Sequence, residues 1–164
     1  TISFIFFIVI SATCFAYVFR SLGGDDVVEH LILKAGLDSW GLLFLIMGIV
    51  FALGFFLDWL EITLIILPVF AGLIVDMEFG DHVPAEAMVV WFTVLIAINL
   101  QTSFLTPPFG FAIFYLKGIA PKEIKIESIY VGIIPFVLLQ LIGLVVVIVY
   151  PQVALWLPHV VHGL

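Results

Sequence analysis

Two apolar stretches, Trp40 to Val75 and Pro84 to Gly118, constrain this chain more than any other feature. Each holds roughly 35 residues, whereas one membrane-spanning helix needs ~20 and two full passes need about 40 plus a turn. The first stretch as a single helix, at ~1.5 Å per residue, would run about 54 Å against a hydrocarbon core of about 30 Å. Each stretch must therefore fold back or break within the apolar layer. Backbone that leaves the helix at that depth is tolerated only where protein buries it or where it lines a cavity. The interruptions are thus the first places to look for function.

In residues 40–75 the polar side chains are Asp58, Glu61 and Thr63. This stretch reads as a re-entrant helical hairpin: one arm from Gly41 to about Phe55, a tip near Gly54 to Asp58, and a second arm to about Val75, kinked at Pro68. Gly54 permits a tight turn, Asp58 can cap the second arm, and Glu61 completes an Asp-x-x-Glu capping arrangement. The alternative is one strongly tilted helix running on into an exposed loop. An acid at membrane depth is costly and by default marks function. Asp58 stays open between that role and a plain cap, whereas Glu61 reads as a cap.

Residues 84–118 end differently in charge. Asp76, Glu78, Asp81 and Glu86 lie on or beside the loop that precedes them, and Lys117, Lys122 and Lys125 close or follow them. This stretch therefore crosses once, as a broken helix. The break is Asn99-Leu100-Gln101-Thr102-Ser103-Phe104-Leu105-Thr106-Pro107-Pro108-Phe109-Gly110. Proline cannot donate a backbone hydrogen bond, and it pushes the residue before it out of helical geometry. The helix is expected to unwind near Thr102 to Pro108 and to restart near Phe109.

The remainder fits an all-α, polytopic membrane protein. The chain is 65% hydrophobic and 10% charged, against roughly 45–50% and 25% for soluble domains, and nothing points to nucleic acid. Residues 1–20 read as a spanning helix closed by Tyr17 and Arg20 as interface anchors. Residues 21–39 read as an amphipathic connector lying in the interface, capped by Asp25 or Asp26, with Val27, Val28, Leu31, Ile32 and Ala35 on its apolar side and His30 solvated. Residues 76–83 read as a solvated acidic loop that includes His82, and 119–128 as a basic loop. Residues 129–150 read as a spanning helix with Tyr130 and Tyr150 at its ends and Gln140 in an interhelical hydrogen bond. Residues 151–164 read as a frayed apolar tail, in which His159 and His162 could share a helix face. Positive charge marks the cytoplasmic side, which puts the acidic loop, the connector and the C-terminus outside. The lone Cys14 forms no intrachain disulfide. Thr1 opens straight into an apolar run, so the chain is expected to be the C-terminal part of something longer.

Broken helices present free N–H groups at their starts, which attract anions, and free C=O groups at their ends, which coordinate cations such as Na⁺. Thr102, Ser103 and Thr106 offer hydroxyls, Asn99 and Gln101 amide oxygens, and Asp58 a carboxylate. No cysteine or histidine lies nearby in sequence, so a transition-metal site is not expected.

The run from Ala97 through Ala112, followed by Phe114-Tyr115-Leu116-Lys117-Gly118 and Ala120-Pro121-Lys122-Glu123, resembles the large, DctM-like membrane subunit of tripartite ATP-independent periplasmic (TRAP) transporters. Gly54-Phe55-Phe56-Leu57-Asp58-Trp59 with Leu67-Pro68-Val69-Phe70 resembles that family's second hairpin. The resemblance implies a bacterial inner-membrane permease that imports an organic acid with Na⁺ and is no enzyme. Its substrate would come from a periplasmic substrate-binding protein, and a small membrane subunit would brace it. It also implies one repeat of an inverted-repeat, elevator-type fold, shared with an N-terminal half of the large subunit. By the same resemblance Gly54, Asp58, Thr102, Ser103 and Thr106 would hold sodium, and Asn99, Gln101, Pro107, Pro108 and Gly110 would lie at the carboxylate substrate. The other readings are a Na⁺/carboxylate symporter without a binding protein and, further off, a channel subunit.

Overall fold

The computed structural model describes residues 2–75, 77–106, 111–121 and 123–162. Every regular element among them is a helix. Helix α1 (Ile2–Ser21) ends on Arg20, whose charge suits the negative end of a helix dipole. Gly23, at φ +73°, turns the chain into α2 (Gly24–Ala35); a left-handed backbone there favours glycine. Asp38 caps α3 (Ser39–Leu53), its carboxylate accepting the Gly41 N–H at 2.8 Å.

After a turn at residues 54–57 the chain runs back in three pieces. These are a short helix α4 (Trp59–Glu61), a π-helical turn (Ile62–Ile66) and α5 (Leu67–Val75). The backbone N–H of Glu78, just past α5, donates to the Ser39 hydroxyl at the start of α3 (3.1 Å). The two arms therefore return to the same end. Two single 3₁₀ turns (Gly80–His82 and Ala85–Ala87) lead into α6 (Met88–Leu105). Helices α7 (Phe111–Ile119), α8 (Ile126–Val149) and α9 (Gln152–His162) follow.

The core is the seam between α3 and α6. Leu43, Ile46 and Val50 of α3 and Trp91 and Leu95 of α6 are fully enclosed. Among the described residues, three segments are long and apolar enough to cross a membrane: Ile2–Ser21, Ala85–Leu105 and Ile126–Val149. The middle one is half buried, whereas the outer two expose most of their length. A multi-pass membrane protein suits this pattern. Lipid is as apolar as a leucine, so small residues and hydrogen bonds, rather than apolar burial, decide which helices touch.

Several expectations change on this scaffold. His82 is not in a solvated loop: its Nε2–H donates to the Ile148 carbonyl (2.7 Å), and its ring packs against Trp40 and Trp91. The Trp91 indole N–H donates to the Val147 carbonyl (2.9 Å). Together they satisfy carbonyls in the last turn of α8 that have no partner within the helix. Met77, Phe79 and Val83 bury on the same cluster, which holds the loop down. The C-terminal tail is a helix, α9, whose Ala154 and Leu155 pack on the core. One side of it packs beside α6 and α8, while Val153, Trp156, Leu157, Val160 and Val161 stay exposed. Arg20 does more than anchor in the interface, since its Nη2 donates to the Pro68 carbonyl (2.9 Å). The Gln140 Oε1 is buried with no hydrogen-bond partner among the described residues, so the expected interhelical bond is not made here.

Candidate functional site

The site grows from the two ends of the α3–α6 seam. At its middle, the Asn99 side-chain amide donates to the Met47 carbonyl at 2.8 Å, a buried bond across 52 residues of sequence. One turn further along α6, Thr102 and Ser103 are completely buried. Gly54, the C-cap of α3, lies directly against Ser103: a Cβ at position 54 would stand 2.0 Å from the Ser103 Oγ and 2.8 Å from its Cβ. Only glycine allows the tip of α3 to approach this closely. No basic residue lies in the last turn of either helix. The contact therefore joins two helix C-termini, each the negative end of a dipole.

The hydroxyls here are oriented by the helix itself. Thr102 donates to the Ile98 carbonyl (2.8 Å), Ser103 to the Leu100 carbonyl (2.8 Å) and Thr106 to the Thr102 carbonyl (2.7 Å). A hydroxyl has one proton and two lone pairs, so each of these oxygens has spent its proton and keeps only acceptor capacity. On the α3 side the last turn is irregular. The Phe55 N–H bonds Ala52 at 3.3 Å, and the Phe56 and Leu57 N–H groups both bond the Leu53 carbonyl. Oxygens of this kind, between the negative ends of two helices, are the type of ligand a hard cation takes.

The helix breaks later than expected. Residues Thr102 and Ser103 remain in α6, which continues to Leu105; Thr106 is the first extended residue (φ −82°, ψ 125°). Proline pushes the residue immediately before it out of helical geometry, here Thr106, and the bond that the missing Pro107 N–H would have made to the Ser103 carbonyl is taken up by the Thr106 N–H (3.2 Å). Pro107, Pro108 and Gly110 lie outside the described residues, and α7 begins at Phe111.

Asp58 has a different position. It is exposed, its Oδ1 accepts the Trp59 N–H (2.7 Å), and the Glu61 Oε2 accepts the Asp58 N–H (3.3 Å), closing the capping box. The carboxylate serves the second arm, while Gly54 serves the seam. Gln101 also parts from its neighbours. It lines an open cleft of about 620 Å³ on the other side of α6, with Trp59, Thr63, Thr93, Leu100 and Phe104. The seam thus gathers Gly54, Asn99, Thr102 and Ser103, with Thr106 half-buried one turn on. The Met47 carbonyl and Thr93 were not singled out from sequence, and Thr63 was noted there only as a polar side chain in an apolar stretch. Thr63 and Thr93, lone hydroxyls in apolar helices, were the available signal.

Residues 1–153 match the family described as the DctM component of the tripartite ATP-independent periplasmic transporter. Among similar proteins, the 2,3-diketo-L-gulonate TRAP transporter large permease protein YiaN of Escherichia coli is 30% identical over 153 residues, covering 93% of this chain and 33% of that protein. The C4-dicarboxylate TRAP transporter large permease protein DctM of Rhodobacter capsulatus is 25% identical over 153 residues, 93% of this chain and 32% of its own length. The sialic acid TRAP transporter permease protein SiaT of Haemophilus influenzae is 25% identical over 117 residues, 71% of this chain and 17% of that protein. The chain thus spans about a third, or less, of the permeases it resembles. No solved structure matches it.

Proposed function

Because the chain belongs to the DctM family of tripartite ATP-independent periplasmic transporter components, we propose that it is the Na⁺-binding repeat of a large permease subunit that imports an organic acid. The observation that carries this reading is the Gly54–Ser103 contact. Two helix C-termini meet there beside the buried Thr102 and Ser103, whose hydroxyl protons are already spent. Sodium, a hard monovalent cation, suits oxygen ligands and the negative ends of broken helices. Thr102, Ser103 and backbone carbonyls beside Gly54 form the core of the site, Thr106 borders it, and Asp58 acts at one remove, by shaping the tip.

The working protein is a bacterial inner-membrane symporter. The arms of residues 39–75 form a re-entrant hairpin that opens outward, and the repeat moves as part of an elevator against the rest of the subunit. The C-terminus lies on the periplasmic side. The substrate is a carboxylate, delivered by a periplasmic binding protein, with a small membrane subunit bracing the assembly. Asn99 holds the seam together, and Gln101, Pro107, Pro108 and Gly110 serve the substrate.

The test is uptake of a panel of labelled organic acids by the full-length permease with its partners in proteoliposomes, with and without an inward Na⁺ gradient and with and without the binding protein. Uptake that needs both supports the proposal. Uptake that needs Na⁺ alone makes this a symporter independent of a binding protein. Uptake indifferent to Na⁺, or unchanged in its Na⁺ dependence by Ser103→Ala and Thr102→Val, refutes the site.

A further inference from the structure

The two arms that meet at Gly54 are held in opposite ways. Helix α3 is locked: Leu43, Ile46 and Val50 are fully buried, and the Asn99 amide bonds its backbone. On the returning arm the buried side chains, among those described, are Ile62 and Ile74. Helices α1 and α2 pack on this arm, and open space lies on the side that faces α6. The 620 Å³ cleft separates Trp59, Thr63 and Leu67 from α6, and a second cavity of about 360 Å³ lies between Leu67, Pro68 and Ile74 and the α6 residues Val89 and Phe92.

This arm is also where the backbone departs from regular α-helix. In a continuous α-helix the Pro68 ring would meet the carbonyl four residues back and could not bond it. The chain instead widens to a π turn over Ile62–Ile66, in which the Leu67 N–H reaches back to the Ile62 carbonyl. A π turn spreads its hydrogen bonds and is a recognised place for a helix to bend. Below it, the arm is tied from outside: the Arg20 guanidinium at the end of α1 donates to the Pro68 carbonyl at 2.9 Å. Above it, the capping box makes Asp58–Glu61 a self-contained unit.

We propose that the returning arm alone is the gate of the cleft between itself and α6, hinged at the π turn Ile62–Ile66 and clamped at Pro68 by Arg20. Arg20 is a positioning residue: it touches neither the cation site nor the cleft containing Gln101, and it acts by holding Pro68 while the segment from Asp58 to Glu61 swings. The inference rests on the transport reading for its purpose, but its geometry can be tested separately.

The experiment uses pulsed electron spin resonance on the full-length permease in lipid nanodiscs, in a cysteine-free background. Spin labels go to exposed positions on the tip side (Trp59), the base (Val75) and the first arm (Phe44), each paired with a label at Leu139 on α8. A broad or two-peaked distribution is expected for the tip pair without Na⁺, with narrow base and first-arm pairs. Added Na⁺ should narrow the tip pair alone. Arg20→Gln should cost the base pair its narrow distribution, and Arg20→Lys, which keeps a charged donor, should retain most of it. Pro68→Ala, which restores the missing N–H and permits an unbroken α-helix, should narrow the tip pair, and it serves as the test if Arg20→Gln does not fold. Equal widths for all three pairs, a tip pair unmoved by Pro68→Ala, or a base pair untouched by Arg20→Gln each overturn the hinge. Na⁺-driven uptake with a static tip would sink the hinge and leave the transport reading standing. A mobile, clamped arm without any Na⁺-driven uptake would do the reverse.

Discussion

The two arms that flank Gly54 have almost the same composition and quite different surroundings. Helix α3 is apolar from Trp40 to Leu53 and buries five side chains. The returning arm beyond Glu61 is apolar but for Thr63, yet most of its described side chains are only partly buried and it is broken by a π turn. The difference comes from what each arm offers α6. Helix α3 offers a bare glycine to Ser103 and a backbone carbonyl to Asn99, contacts that hold in lipid, where apolar surface gains little by leaving the bilayer. The returning arm offers Trp59, Thr63 and Leu67, which border a cleft. Similar hydrophobicity therefore does not mean similar rigidity in this protein.

The sharpest way to break this comparison is Gly54→Ala. The added methyl overlaps Ser103, and overpacking of this kind costs about 1–3 kcal/mol. We expect loss of most Na⁺-dependent uptake and a lowered melting temperature; wild-type behaviour would mean that the α3–α6 contact is loose. Ser103→Ala comes next. It keeps the glycine contact but removes one buried oxygen, and a roughly tenfold weaker Na⁺ dependence, equivalent to about 1.4 kcal/mol, should appear in uptake titrations with little change in stability. Thr102→Val should act in the same direction, because valine fills the same space without the lone pairs. Asn99→Leu leaves the Met47 carbonyl without its side-chain donor. Interhelical hydrogen bonds in membranes average about 0.6 kcal/mol and reach about 1.7, so a small stability loss is expected in thermal unfolding in detergent. Asp58→Asn should do least. Asparagine still caps a helix, so uptake close to that of the unchanged protein is the expected result; a collapse of Na⁺ affinity would return Asp58 to the cation site.

How much was legible beforehand depends on the kind of force involved. Turns and caps are local, so the Asp58–Glu61 capping box could be read from spacing alone, and the paired prolines placed the break to within a turn. The expected unwinding at Thr102, however, obscured the more useful fact. With α6 helical to Leu105, positions 99, 102, 103 and 106 share one face, while 101 points elsewhere. That periodicity separates the seam residues from Gln101, and it applies only once the helix is known to persist. The burial of His82 and the partner of Arg20 were not legible, because each depends on a backbone carbonyl far away in sequence, 66 and 48 residues respectively.

By itself, the sequence determined that both long apolar stretches are interrupted, the position of each interruption to within about a turn, and that oxygen-bearing side chains cluster beside one of them. These follow from chain length, proline sterics and helix capping, which act over a few residues. Tertiary structure alone decided that Gly54 meets Ser103, that Asn99 bonds the Met47 carbonyl, and that one arm is locked while the other borders open space. In a chain this apolar, hydrophobicity cannot distinguish one helix face from another. The choice falls to one missing side chain and a few hydrogen bonds, and their partners are specified only when the helices are brought together.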